Sequence, residues 1–130
     1  MDDNFDKNQP IYQQIIDRFI NSIARGALPP GAKIRPVREL AMEFKVNPNT
    51  MQRSLAKLEE LGYLRTERTS GRFVTEDADF IQAARARIPE KITAEFVKEM
   101  TDFGMQLRDI PDYTRNFIER TESSGKNIGN

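Results

Sequence analysis

Apolar residues recur along most of this chain at helical spacing, and the interruptions fall where the chain has to turn. Pro10 opens the first run, with Ile11, Ile15, Phe19 and Ile23 on one stripe and Tyr12, Ile16 and Ile20 beside it, wide enough to pack against more than one neighbour. Gly26 ends the run, and Ala27-Leu28-Pro29-Pro30-Gly31 is a stiff connection that cannot continue a helix. Lys33-Ile34-Arg35 reads as a short extended segment, because Pro36 restricts Arg35 to extended backbone and itself suits a first helical turn. Val37, Leu40, Ala41 and Phe44 predict a short second helix, and a turn around Lys45-Val46 leads into a third.

The third helix, Asn47 to Gly62, has a start, a face and a stop. Asn47 is a good N-cap, Pro48 fits the first helical position, and Gly62 suits the left-handed position after the last turn. Met51, Leu55 and Leu58 form the apolar stripe, with Leu61 at its margin; Asn49, Arg53, Ala56 and Glu60 lie opposite and Gln52 on the flank. Asn, Gln and Arg in the N-terminal half of an outer face are side chains able to read base edges in a major groove. Two short helices at this spacing predict a helix-turn-helix. Tyr63 to Glu67 and Arg72 to Thr75 are short extended runs around Arg68-Thr69-Ser70-Gly71, a β-hairpin that reads as a wing, with Arg65, Arg68 and Arg72 on its tip and flanks.

Beyond the hairpin, Glu76-Asp77-Ala78-Asp79 suits the N-terminus of another helix, continued by Phe80, Ile81, Ala84 and Ile88 and interrupted or re-started at Pro89. Ile92, Phe96, Met100, Phe103 and Leu107 follow as a long amphipathic stripe flanked by Val97, and residues 110–119 give a last helix with Tyr113, Phe117 and Ile118. So short a C-terminal part cannot close a large core alone, and pairing its stripe with an identical one yields a two-fold dimer. The expected fold is mostly α with a small β-hairpin: a flexible N-terminus (1–9), a winged helix-turn-helix DNA-binding domain (10–75), a short C-terminal helical dimerisation segment (76–120) and a disordered tail (121–130).

Composition narrows the chemistry. The 130 residues are 38% hydrophobic and 31% charged, with no Cys and no His. This rules out disulfides, thiolate chemistry, His-based triads and His–metal sites, and no Gly-rich phosphate loop is present. Glu59 and Glu60 are adjacent on a helix and do not face one another, so they read as a solvated face. An enzyme is not expected, nor a cofactor or metal. No apolar run approaches the roughly 18 residues of a membrane span, and the acidic N-terminus is unlike a signal peptide, so no membrane partner is expected and cytoplasm is the expected location. Net charge is zero, but its distribution is uneven: Lys33 to Arg72 holds nine basic against five acidic residues, and Glu76 to the end holds eight against eleven. A basic half joined to an acidic half suits a DNA-binding module carrying an interaction module.

These segments together resemble the GntR family of bacterial transcription regulators. The likeness runs through Pro10-Ile11-Tyr12-Gln13-Gln14-Ile15, Gly26-Ala27-Leu28-Pro29-Pro30-Gly31, Val37-Arg38-Glu39-Leu40-Ala41, Val46-Asn47-Pro48-Asn49-Thr50, Leu58-Glu59-Glu60-Leu61-Gly62-Tyr63-Leu64 and Gly71-Arg72-Phe73-Val74. The short C-terminal part is similar to the YtrA subfamily, whose members use a small helical segment there for dimerisation. The resemblance implies a homodimeric repressor on a pseudo-palindromic double-stranded DNA operator, with control of a neighbouring transporter operon and an effector of unknown identity. Carried over by position, DNA contacts fall on Arg38, Asn47, Pro48, Asn49, Thr50, Gln52, Arg53 and, at the wing, Ser70, Gly71 and Arg72. Two departures stand out. Ile34-Arg35-Pro36 replaces the family's Leu-Pro-Ser, which loses a hydroxyl and adds Arg35 as a candidate contact. Thr69-Ser70-Gly71-Arg72 keeps only the second glycine of the usual Gly-x-Gly-Thr. The dimerisation set is Phe80, Ile81, Ile92, Phe96, Met100, Phe103 and Leu107. The competing role for Arg38 is a surface salt bridge with Glu39 or Glu43, and the competing function is a winged-helix protein–protein adaptor without DNA binding.

Overall fold

The computed structural model describes residues 9–125. In chain order the elements are α1 (Ile11–Ala24), α2 (Val37–Phe44), α3 (Pro48–Glu60), β1 (Leu64–Glu67), β2 (Gly71–Val74), α4 (Ala78–Asp102), a 3₁₀ turn (Leu107–Asp109) and α5 (Ile110–Ser123). The chain divides into two compact units at the Ile88–Pro89 bond, inside α4.

In the first unit the expected stripes meet. Ile15, Ile16, Phe19 and Ile23 of α1, Leu40, Ala41 and Phe44 of α2, and Met51, Leu55 and Leu58 of α3 form one buried cluster, closed by Ile34, Tyr63, Leu64 and Val74. The rings of Phe19 and Phe44 stack with centroids 6.0 Å apart. Between α2 and α3 the chain turns through Lys45, whose φ of 57° makes it the one non-glycine residue in the left-handed region among the described residues. That conformation turns the Val46 N–H back onto the Ala41 carbonyl at 3.0 Å, capping α2.

The wing is an antiparallel pair in the register Leu64↔Val74, Arg65↔Phe73, Thr66↔Arg72 and Glu67↔Gly71. The extended segment before α2 pairs with β2, the Ile34 N–H donating to the Arg72 carbonyl at 2.9 Å and the Val74 N–H to the Ala32 carbonyl at 2.8 Å. Phe80 and Ile81, assigned from the sequence to dimerisation, pack instead against this core. The Phe80 ring meets Tyr63 edge-on at 4.9 Å and lies against Gly62, whose φ of 97° is the expected left-handed stop after α3. Hairpin and helix start are only a few residues apart, so the first turns of α4 reach back to α3 before the apolar stripe begins.

Three expectations for the C-terminal part change. Pro89 does not break the helix; α4 runs unbroken from Ala78 to Asp102. A proline removes one backbone donor, and the bonds on either side carry the helix through, with the Thr93 hydroxyl donating to the Pro89 carbonyl at 2.8 Å. The Ile92–Leu107 stripe is not one helix: Gly104, at φ 113°, ends α4, so Phe103 lies in the turn and Leu107 in the 3₁₀ turn. The last helix continues to Ser123, past the expected end, so the first residues assigned to a tail are helical; 126–130 and 1–8 lie outside the described residues. In the second unit Ile110 is the single buried hydrophobic residue among those described.

Candidate nucleic-acid interface

The geometry of α3 follows from its sequence. The Asn47 side-chain oxygen accepts the Asn49 N–H at 2.7 Å, and Pro48 occupies the first turn. No acidic residue lies in that turn, so the positive end of the helix dipole is left open to an anion. Met51, Ser54, Leu55 and Leu58 face inward and are buried, whereas Asn47, Pro48, Asn49, Gln52, Arg53 and Ala56 are exposed and Thr50 is half-buried. Two contacts fix the roll of the helix on α1. The buried Ser54 hydroxyl lies 2.9 Å from the Thr50 carbonyl and 3.3 Å from the Tyr12 carbonyl, and the Arg53 guanidinium sits over the Tyr12 ring at 4.9 Å. That cation–π contact leaves Arg53 on the surface but restricts its sweep.

Around α3 lie the basic residues. Arg38 on α2 is exposed and makes no ion pair among the described residues; Glu43, its expected competitor, pairs with Arg35 instead. The Arg35 pair is itself largely solvent-exposed and contributes little to stability. At the wing, Ser70 and Gly71 are exposed at the turn, and Gly71 takes φ 104°. The register settles which strand residues share a face. Leu64, Thr66, Arg72 and Val74 lie on the side turned to the core, and Arg65 and Phe73 on the other, where the Arg65 guanidinium stacks over the Phe73 ring at 5.1 Å. Arg72 is therefore half-buried and directed at Glu59 of α3, 3.4 Å away. A cleft of about 490 Å³ is lined by residues of the pre-α2 segment and of the wing, among them Lys33, Arg35, Ser70, Gly71 and Arg72.

The comparisons with known proteins agree with this geometry. The sequence pattern of the bacterial regulatory proteins of the gntR family matches residues 11–74. YhcF of Bacillus subtilis, an HTH-type transcriptional regulator, is 35% identical over 92% of this chain and 98% of its own length. The chain belongs to the GntR family. YtrA of the same organism, an HTH-type transcriptional repressor, is 28% identical over 91% of this chain and 92% of its own. A GntR family transcriptional regulator from Listeria monocytogenes superposes with a TM-score of 0.76 at 36% identity, covering 86% of this chain and 98% of that one. The protein is thus a DNA-binding transcriptional regulator with a winged helix-turn-helix, not an enzyme. No described helix is long and apolar enough to cross a membrane.

In this GntR protein, four residues escaped the sequence reading of the interface. Tyr12 of α1 meets Arg53 and Ser54 on α3, Lys33 lines the wing cleft, and Glu59, assigned from the sequence to a solvated face, joins α3 to the wing. Ser54 and Glu59 carried a signal: Ser54 stands three residues after Met51 and four before Leu58, on the buried stripe, and Glu59 one turn after Leu55, at its margin. Tyr12 and Lys33 depend on contacts between segments far apart in sequence.

Proposed function

We propose that the protein is a dimeric repressor of a pseudo-palindromic operator, each copy placing α3 in a major groove of half-sites about one helical turn apart. The observation that carries this reading is the outer face of α3: Asn49, Gln52 and Arg53 are exposed together behind an acid-free first turn, and Arg38 on α2 is exposed too, with no ion pair among the described residues. Asn49, Gln52 and Arg53 read base edges. Arg38, Asn47, Pro48 and Thr50 approach the backbone, as do Arg35, Ser70, Gly71 and Arg72 across the wing cleft. Dimerisation rests on Ile92, Phe96, Met100, Phe103 and Leu107; Phe80 and Ile81 leave that set because they complete the first unit's core. Tyr113, Phe117 and Ile118 join it, as large apolar side chains left exposed on α5. The proposed domain organisation is a DNA-binding unit that includes the start of α4, up to Ile88, and a dimerising helical unit from Pro89 on. A neighbouring transporter operon is the proposed target class and the cytoplasm the proposed location. A shallow groove of about 520 Å³ lined by Phe96, Val97, Ile110, Thr114 and Ile118 adjoins the proposed dimer face and is the proposed place for an effector.

Selection from a random DNA pool, followed by binding at two salt concentrations and sedimentation, tests the proposal. The expected outcome is a two-fold symmetric motif, affinity falling steeply with salt, and a dimer. Absence of salt-sensitive binding would reject it in favour of a protein–protein adaptor.

A further inference from the structure

Thr66 and Arg72 are cross-strand partners on the core-side face of the wing, and both are bonded to one carboxylate oxygen of α3. Glu59 Oε1 accepts from the Thr66 hydroxyl and from Arg72 Nε, the latter at 3.4 Å. The arrangement is partly shielded, with the Arg72 side chain 19% and that of Glu59 34% exposed. Among the described residues, no other α3 side chain bonds the hairpin. Backbone bonds from Tyr63 to Leu58 and from Ile34 to Arg72 hold the base and one edge of the wing. On the Thr66 side, Glu59 adds a side-chain tie from α3 to a strand otherwise held by its ladder to β2 and by the buried Leu64.

We infer that Glu59 is a positioning residue for DNA recognition: it sets the height of the wing over the recognition helix and keeps the Arg72 charge neutralised until a phosphate takes its place. The inference rests on the DNA-binding reading of this surface. An arginine held this way adds little to binding at random sites, where the phosphate is displaced from the wing, and contributes fully where α3 is seated and wing and backbone are in register. A carboxylate beside the phosphates further disfavours unseated binding. Glu59 therefore favours discrimination at the expense of raw affinity.

The test is the ratio of affinities for the duplex that wild type selects and for random DNA of equal length. In Glu59→Ala, random binding rises, its salt slope steepens by about one, and the ratio falls about tenfold. In Glu59→Gln the amide carbonyl still accepts from both partners and keeps the wing in place, but the neutralising charge is gone, so the salt slope of random binding steepens as in Glu59→Ala while the ratio falls by only about threefold. In an Arg72→Ala background, Glu59→Ala lowers the ratio by no more than the about threefold that loss of the Thr66 anchor gives, because the rest of its effect acts through Arg72. A merely structural role lowers both affinities by one factor and leaves the ratio untouched, so a Glu59→Ala ratio within about twofold of wild type overturns the inference. So does a full drop that persists in the Arg72→Ala background. Should Glu59→Ala fail to fold, Thr66→Val removes the β1 anchor alone; an about threefold fall supports the inference and an unchanged ratio overturns it. Wild type that selects no sequence at all overturns the DNA reading itself, a result distinct from these.

Discussion

The two units of this chain are built from the same kind of amphipathic helix and end in opposite states. Up to Ile88, the apolar stripes of three helices and one face of a hairpin find each other, and Phe19, Phe44, Met51, Leu55 and Leu58 lose essentially all contact with solvent. From Pro89 on, the rest of α4, the turns that follow it and α5 also carry large apolar side chains, yet Phe103 remains 94% exposed, Leu107 65% and Ile92 59%. Burial thus depends on how many apolar faces the chain itself supplies: four elements close a core, and two helices leave most of theirs uncovered. The sharpest break of this contrast is substitution in each unit. Leu55→Ala, in the closed core, should cost about 2–5 kcal/mol in denaturant unfolding. Phe103→Ala should change stability by less than about 0.5 kcal/mol at concentrations where the protein is monomeric. Comparable losses would mean that the second unit's face is covered within one chain.

If a second copy covers that face, a charge placed in it separates assembly from folding. Phe96→Asp should leave the unfolding transition of the first unit in place and move the sedimentation equilibrium to monomer, a loss of about 2 kcal/mol or more of association energy. Operator affinity should drop with it, because each half-site is then bound alone. A Phe96→Asp protein that remains dimeric would place the interface elsewhere.

The same contrast explains what the sequence made legible. Local signals gave every element of the first unit: Asn47-Pro48 at a helix start, Gly62 at its stop, and Pro36 ahead of α2 all sit where backbone chemistry demands. The outer face of α3 was legible for the same reason, since a helix with a fixed buried stripe has a fixed exposed one. Strand faces were not, because Arg65 and Arg72 could be told apart only by the register, which a tertiary pairing sets. Pro89 misled because proline is a local signal against a helix that the surrounding bonds outvote. Phe80 and Ile81 misled because periodicity shows that a face is apolar and not which neighbour it meets.

Within the interface a second comparison, of base reading against backbone contact, yields smaller effects. Gln52→Ala should change preference at one operator position by about 1–3 kcal/mol and leave the others alone. Arg38→Ala should weaken binding to all sequences alike and reduce the salt slope by about one. Selection on both variants, with binding read at several salt concentrations, separates them. An unchanged preference profile for Gln52→Ala would remove it from the reading set.

The smallest effect comes from Asn47, where fold and function meet in one side chain. Its oxygen caps α3, and its position at the front of the helix makes it a candidate DNA contact. Asn47→Ala removes the cap and should cost about 1 kcal/mol of stability. Asn47→Asp caps equally well and places a favourable negative charge at the positive end of the helix, so stability should hold or rise by a few tenths of a kcal/mol. The same charge would face phosphate, and DNA affinity should fall although the fold is intact. Stability and affinity moving in opposite directions identify a residue at the interface. If both hold steady in Asn47→Asp, the asparagine serves the helix alone, and recognition begins one turn further in, at Gln52 and Arg53.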